Sequence, residues 1–209
     1  MPTSRTTALE PKVTALVLVD PLHDFLAPDG LLWPSIAAVA DRVGLHRNLG
    51  ALLAAFRASG ACVAFAPHRR WDDEAYAGWS FMTADQSGVV KMRVFARSGP
   101  GGDWHEGLEP WPGELVATEH FAQSGFANTD LEVQLRQRGI THLVVAGLLA
   151  NTCVESTARF GMELGFHVTL VRDATAATSE DAMRAAHDVN GPTYAHWITG
   201  TQSVLEALA

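Results

Sequence analysis

One cysteine stands where its thiol could act as a nucleophile. Cys153 ends the stretch 147–153, Gly-Leu-Leu-Ala-Asn-Thr-Cys, which follows an apolar run and opens a segment with helical spacing. If Thr152 caps that helix, the Cys153 sulfur lies near unpaired backbone N–H groups, which favour a thiolate and could bind an oxyanion. The alternative is a buried structural cysteine, which is the common role of an isolated cysteine. We interpret Cys62, inside an apolar run, in that way.

Two further side chains could exchange protons with that thiol. Asp20 follows an apolar run, so its carboxylate starts from a buried backbone and needs a partner; alternatively, it caps the next turn. Glu119 and His120 are neighbours after another short apolar run. Neighbours in an extended chain point to opposite faces, so at most one of the two faces the thiol. Cysteine and histidine together form a workable pair of nucleophile and base.

The elements that must position these residues alternate between strands and helices. Continuous apolar or β-branched runs predict strands at 13–19, 61–66, 114–118, 142–146, 167–171 and 197–199. Apolar residues at helical spacing predict helices at about 36–58, 130–138, 153–164 and 180–188. This alternation predicts a three-layer, Rossmann-like α/β sandwich with a mainly parallel sheet. Ligands of doubly wound sheets bind beyond the carboxyl ends of the strands, which is where the candidate residues fall.

The domain organisation follows from length and local composition. The 209 residues suit one domain, which we expect to span 13–209 after a flexible tail at 1–12 without the apolar core of a signal peptide. A segment at 67–115 interrupts the alternation, and irregular segments of this length are more often functional than idle. We therefore expect it to shape a substrate site. The side chains expected to contact substrate are Phe25, His68, Trp71 and Glu119.

Composition and charge argue against several classes of function. The net charge is −8 without a cluster of Lys and Arg, which argues against nucleic acid or an anionic membrane as partner. No apolar run reaches the roughly 18 residues that a membrane span needs. The two cysteines have no disulfide or zinc-finger spacing, so we expect a soluble protein in the reducing cytoplasm. No dinucleotide, Walker or Gly-x-Ser-x-Gly motif occurs, so we expect neither a cofactor nor a serine nucleophile.

The candidate residues lie in stretches that resemble the isochorismatase-like cysteine hydrolases, a superfamily with nicotinamidases, N-carbamoylsarcosine amidohydrolases and isochorismatases. The stretches are 16–25, 124–131 and 139–159, the last continuing through 165 to 174, and the resemblance covers nearly the whole chain from about residue 13. It implies a triad of Asp, Lys and Cys, in which Asp20 and the nucleophile Cys153 match. It also implies a non-proline cis peptide at Leu148–Leu149 and an oxyanion site formed by the N–H groups of Leu149 and Cys153.

At the third triad position this sequence departs from the family. The family's lysine lies six residues before the Phe of a Ser-Ala-Phe-like motif, and counting back from Phe126 gives His120. Lysine supplies a fixed positive charge, whereas histidine can be neutral or charged near pH 7. The resulting hypothesis is a catalytic set of Asp20, His120 and Cys153. The nicotinamidase metal site needs Asp-x-His after the second strand, where this chain has Ala66-Pro-His68, so no metal site is predicted.

The resemblance implies a function for these residues. We expect hydrolysis of a non-peptide C–N bond in a small amide, ureido compound or lactam, through a thioester on Cys153. One alternative is hydrolysis of an enol ether, as in isochorismatase, without covalent attachment. Another is a small-molecule binding protein that lost catalysis with its lysine. Because family members are often dimers or tetramers, we expect a homodimer or homotetramer.

Overall fold

A parallel sheet organises residues 9–208, the part of the chain that this computed structural model describes. Its six strands lie in the order β3-β2-β1-β4-β5-β6. They are β1 (Thr14–Val19), β2 (Cys62–Ala66), β3 (Leu115–Val116), β4 (His142–Leu148), β5 (His167–Ala176) and β6 (Trp197–Thr199). The strand order reverses between β1 and β4, so a crevice opens where these two strands end. The predicted Rossmann-like α/β fold is confirmed.

Helices connect the strands and cover both faces of the sheet. They are α1 (His23–Leu26), α2 (Trp33–Val43), α3 (Leu45–Ser59), α4 (Ala84–Met92), α5 (Leu131–Gln137), α6 (Glu155–Glu163), α7 (Glu180–Arg184) and α8 (Thr201–Leu208). A π-helix at Ala150–Val154 precedes α6, and another at Ala185–Asn190 follows α7. The single helix predicted at 36–58 is divided, because Gly44 adopts a left-handed conformation (φ 70°) that ends α2.

The central strand β1 shows why its sequence is apolar throughout. Leu16 and Leu18 face a core shared with α2, α3 and α8, whereas Ala15, Val17 and Val19 face a second core shared with α5 and α6. All five side chains are completely buried. A strand covered on both faces needs a continuous apolar run rather than an alternating one. The two cores give the predicted three layers.

The N-terminal boundary of the domain differs from the prediction. Residues 9–12, which we expected to belong to a flexible tail, pack against the domain. Leu9 is buried, and its N–H donates to the carbonyl of Ala207 (2.8 Å). Pro11–Val13 form a 3-10 turn that leads into β1. Residues 1–8 of the predicted tail lie outside the described residues.

The segment at 67–115 contains α4 and a 3-10 turn at Pro100–Gly102 between β2 and β3. The buried carboxylate of Asp24 in α1 connects it to the chain after β1, because Oδ2 accepts from the N–H of Phe95 (2.6 Å), while Oδ1 accepts from the N–H of Leu31 (3.1 Å) outside the segment. This link holds the segment over the carboxyl end of the sheet. No helix between residues 9 and 208 is both long and apolar enough to cross a membrane.

Candidate active site

Three side chains meet at the crevice where the strand order reverses. Asp20 directly follows β1, His120 lies beyond the end of β3, and Cys153 lies in the π-helix after β4. A carboxylate oxygen of Asp20, a ring nitrogen of His120 and the sulfur of Cys153 lie within 4.8 Å of one another. Asp20 and His120 are 0% exposed and Cys153 is 6% exposed. The structure thus brings together the three predicted catalytic side chains.

Asp20 and His120 form a buried hydrogen-bonded pair. Nε2 of His120 lies 2.9 Å from Oδ1 of Asp20. The other ring nitrogen, Nδ1, is buried without a partner among the described residues. Because a carboxylate oxygen accepts, Nε2 carries a proton and donates it to Oδ1 of Asp20.

The backbone at the crevice is closely constrained. Asp20 has φ 52°, a left-handed conformation that Asp and Asn tolerate better than other side chains. Gly147 in β4 has φ 116°, and a Cβ there would lie 2.0 Å from the carbonyl oxygen of Val19. Only glycine therefore lets β4 pass β1 at this point. Directly after Gly147, the peptide bond between Leu148 and Leu149 is cis, as the resemblance implied.

The protonation of Cys153 differs from our expectation. Burial raises the pKa of its thiol well above the usual value, and the charge of Asp20 and a hydrogen bond with it raise it further. The Thr152 hydroxyl and the Leu149 backbone lower the pKa, but by less. Thr152 is not the predicted helix cap, because the helical segment begins at Ala150 after Leu149. The helix end thus does not hold a thiolate here. Burial also raises the pKa of the Cys62 thiol.

A cavity of about 710 Å³ opens in front of the thiol. Of the residues predicted to contact substrate or oxyanion, Phe25, His68, Leu149 and Cys153 line it. The sulfur of Cys153 lies 3.6 Å from the carbonyl oxygen of Ala122, to which the thiol donates. The other lining residues are Leu32, Ser35, Tyr76, Thr83, Ala84, Asp85, Gln86, Gly88, Val89, Met92, Phe95, Ala122, Gln123, Asn151, Thr152 and Thr178.

His68 presents a polar group within this mainly apolar lining. Its Nδ1 lies 2.9 Å from the carbonyl oxygen of Arg69. Because a carbonyl only accepts, Nδ1 carries the proton and Nε2 is the acceptor nitrogen of a neutral ring. Burial lowers the pKa of His68, although the charge of Asp20 opposes this in part. His68 is therefore a neutral polar group in the cavity wall at neutral pH.

Two residues that we expected to contact substrate lie elsewhere. Glu119 points away from the thiol, and its carboxylate binds Arg70 (2.7 Å) and Arg97 (2.9 Å). Trp71 pairs through its backbone with the chain near Phe95, and the guanidinium of Arg93 lies over its ring. Neither residue, both within the described part of the chain, lines the cavity. Their contacts hold segment 67–115 together instead.

Sequence reasoning missed most of the opposite wall of the cavity. This wall includes α4 and Tyr76, whose hydroxyl donates to the carbonyl of Phe121 and whose pKa burial raises to about 12. No motif marks these residues, since they lie in the irregular segment. Asn151 could have been predicted to line the cavity, because it lies between the end of β4 and Cys153.

The catalytic candidates are also possible metal ligands. A carboxylate oxygen, an imidazole nitrogen and a thiolate sulfur are donors that zinc accepts. Within residues 9–208, Asp20, His120 and Cys153 form the group with three such donors close together. His68, at the place of the family's metal motif, is not part of it. A metal at the crevice would bind the sulfur that hydrolysis needs as nucleophile, so the two roles exclude each other.

A buried thiol beside a carboxylate, at the switch point of a doubly wound parallel sheet, defines an α/β protein built for cysteine chemistry. Comparison with protein families agrees with this class. Residues 14–202 match the Isochorismatase domain, and the chain belongs to this family.

Individual relatives and solved structures cover nearly the whole chain. The chain is 28% identical over 204 residues to ureidoacrylate amidohydrolase RutB of Caulobacter vibrioides, covering 92% of this chain and 90% of that protein. A cysteine hydrolase structure from Pseudomonas syringae pv. phaseolicola has a TM-score of 0.80 and 26% identity, covering 96% of this chain and 94% of that one. N-carbamoylsarcosine amidase from Thermoplasma acidophilum has a TM-score of 0.64 and 28% identity, covering 90% and 96%.

Proposed function

We propose that this chain is a hydrolase that cleaves a non-peptide C–N bond in a small amide, ureido compound or lactam, with Cys153 as nucleophile. The observation that carries the proposal is the Cys153 thiol, held beside the Asp20 carboxylate at the wall of a cavity that admits a small molecule. The named activities of ureidoacrylate amidohydrolase and N-carbamoylsarcosine amidase support this type of bond.

The first half of the reaction forms a thioester. Asp20 takes the thiol proton as the Cys153 sulfur attacks the carbonyl carbon. The C–S bond forms, and the carbonyl oxygen becomes an oxyanion, for which the N–H groups of Leu149 and Cys153 are the donors. When the C=O bond re-forms, the C–N bond breaks, and Asp20 returns the proton to the leaving nitrogen. Ammonia or an amine departs.

The second half returns the enzyme to its starting state. Water attacks the thioester carbonyl and gives its proton to Asp20, the C–S bond breaks, and that proton returns to the sulfur. The product is a carboxylic or carbamic acid. His120 acts as a positioning residue in this scheme, because its hydrogen bond to Oδ1 fixes the orientation of the carboxylate. His68 contributes a polar contact to the substrate from the wall.

We also propose a homodimer or homotetramer in the cytoplasm, with a small molecule as its only ligand. Large apolar side chains exposed on segment 67–115 support an assembly, among them Phe81 (93% exposed). The two unpaired cysteines support a reducing compartment. Light scattering of the purified protein measures the oligomeric state directly.

The test is a panel of small amides, ureides, lactams and enol ethers, with mass spectrometry of the enzyme during turnover. We expect turnover of a C–N substrate and an acyl adduct on Cys153. Cys153→Ala should abolish turnover, whereas the matched control Cys62→Ala should retain it. Turnover of enol ethers alone, without an adduct, would establish the alternative reaction. Activity retained in Cys153→Ala would refute the nucleophile.

A further inference from the structure

The cavity in front of Cys153 carries little charge, and that charge is negative. None of its lining residues is Lys or Arg, and Asp85 is the only carboxylate among them. The titratable His68 is neutral, because burial lowers its pKa. A ligand carboxylate would therefore leave water without meeting a cationic side chain in the wall. Desolvating an unpaired carboxylate is unfavourable.

The catalytic groups beside the cavity do not supply a fixed positive charge either. The family position that would hold a lysine is occupied by His120, whose Nε2 hydrogen-bonds to Oδ1 of Asp20. The carboxylate of Asp20 thus has no ammonium group with a fixed charge beside it. An anionic substrate would approach this carboxylate, and two negative charges repel each other strongly in a partly buried site.

The end of α4 offers an anion no compensation either. The first turn of this helix lines the cavity, and helix N-termini attract anions. Here Thr83 and Gln86 form a capping box, in which the N–H of Gln86 donates to Thr83 (3.3 Å) and the N–H of Thr83 to Gln86 (2.9 Å). Asp85 in the same turn already complements the positive end.

The remaining wall is apolar and incompletely covered. Helix α4 buries none of its own residues, yet Val89 and Met92 face the cavity together with Phe25 and Phe95. Met92 is 50% exposed. Covering such side chains with an apolar group removes apolar surface from water, which stabilises a complex.

We propose that the substrate joins its scissile amide or ureido group to an apolar substituent without negative charge. This distinguishes the chain from its ureidoacrylate-hydrolysing relative, whose substrate carries a carboxylate. The nature of the cleaved bond rests on the proposed function, whereas the charge preference rests on the cavity alone.

The guanidinium of Arg69 is a cation near the cavity that an anionic substrate could use. The guanidinium of Arg69 stacks over the Phe121 ring (5.1 Å), and its Nε is buried without a partner among the described residues. Its charge acts on Tyr76 in the wall. Arg69 does not itself line the cavity. If a carboxylate substrate used this residue, replacing it with Met would abolish the binding of anionic ligands.

The experiment uses three ligands of matched length: hexanamide, adipic acid monoamide and 6-aminohexanamide. Binding to Cys153→Ala is measured by calorimetry, so that it does not depend on turnover, and kcat/KM is measured for the wild type. We expect hexanamide to bind at least about tenfold more tightly than the monoamide. Equal or tighter binding of the monoamide, or no detectable binding of hexanamide, overturns the proposal. If the binding order holds but neither these amides nor the ureides and lactams of the panel are hydrolysed, the proposed reaction fails while the charge preference stands.

A charge introduced at the wall gives a second readout. Met92→Lys places an ammonium group in the lining and should improve binding of the monoamide relative to hexanamide by about tenfold. Met82→Lys is the matched control, because Met82 is similarly exposed (41%) but outside the lining. Asp85→Asn should shift the ratio in the same direction by less, since that side chain is exposed. An unchanged ratio in both lining variants, or a monoamide signal that disappears in Arg69→Met, contradicts the proposal.

Discussion

Replacing Asp20 with Asn separates the two effects that this carboxylate has on Cys153. The Asn side chain has the same shape, so its oxygen can still accept from Nε2 of His120. Asn also tolerates the left-handed backbone at this position (φ 52°) as Asp does. We therefore expect the fold to be retained while the charge and the proton acceptor are lost.

The two effects have opposite signs. Loss of a general base costs typically 10²–10⁴-fold in rate, or about 3–5 kcal/mol in the barrier. The negative charge of Asp20, however, raises the pKa of the thiol, so its removal lowers that pKa and favours the thiolate. Two unit charges within 4.8 Å interact by roughly 3 kcal/mol at an effective dielectric constant of 20. At neutral pH, alkylation of Cys153 should therefore become faster by about tenfold or more.

The assay measures both quantities on the same preparation. Turnover is followed with the best substrate of the panel, and alkylation by iodoacetamide is followed by peptide mass spectrometry between pH 6 and 9. Cys62 serves as the internal reference, because its thiol responds to burial, Arg138 and Glu114 rather than to Asp20. We expect lower kcat/KM together with faster alkylation of Cys153. Turnover within a few-fold of wild type would reduce Asp20 to a structural cap, and slower alkylation would refute the electrostatic reasoning.

Three further predictions use the same protein. His120→Ala should lose most of the activity, because the hydrogen bond that orients the Asp20 carboxylate is lost, and activity close to that of the wild type in this variant would contradict the positioning role. Exhaustive chelation should leave activity intact, and a loss restored by zinc would instead identify Cys153 as a metal ligand. Burial lowers the pKa of His105 to about 4. As the pH falls, the unfolded state therefore binds this proton before the folded state does. The free energy of unfolding should decrease from about pH 6.5 towards 4. His105→Gln should flatten this decrease in urea titrations, by no more than about 1–2 kcal/mol because the ring is partly exposed, and an unchanged slope would contradict the assignment.

The fold was predictable because burial on both faces leaves a direct trace in the sequence. The run 15–19 of β1 is apolar at every position, because its side chains pack alternately into the two cores on either side of the sheet. Asp20 and Cys153 were predictable for a related reason: polar residues that interrupt such runs fall at strand ends, and parallel strands end at the same edge. The local chemistry of strand ends therefore carries much of the information about this site.

The remaining features depend on contacts between distant parts of the chain. Glu119 is directed away from the crevice by Arg70 and Arg97, which no local pattern connects to it. The start of the helical segment at Ala150 rather than Cys153 follows from the path of the chain after Gly147, not from a capping residue. The expected thiolate failed for a similar reason, because burial and a neighbouring carboxylate outweigh the helix end.

The replacement of lysine by histidine connects the proposed mechanism with the proposed substrate. A buried ammonium beside Asp20 would balance the carboxylate and stabilise a thiolate before substrate arrives. Histidine supplies no such fixed charge, and burial and Asp20 raise the pKa of the thiol, so its proton must move as the C–S bond forms. The same exchange removes a fixed positive charge from the site, which disfavours a carboxylate in the substrate. We infer that His120→Lys would weaken both traits together: faster alkylation of Cys153 should accompany a smaller preference for hexanamide over adipic acid monoamide. A variant that changed one trait and left the other intact would show that the two have separate origins.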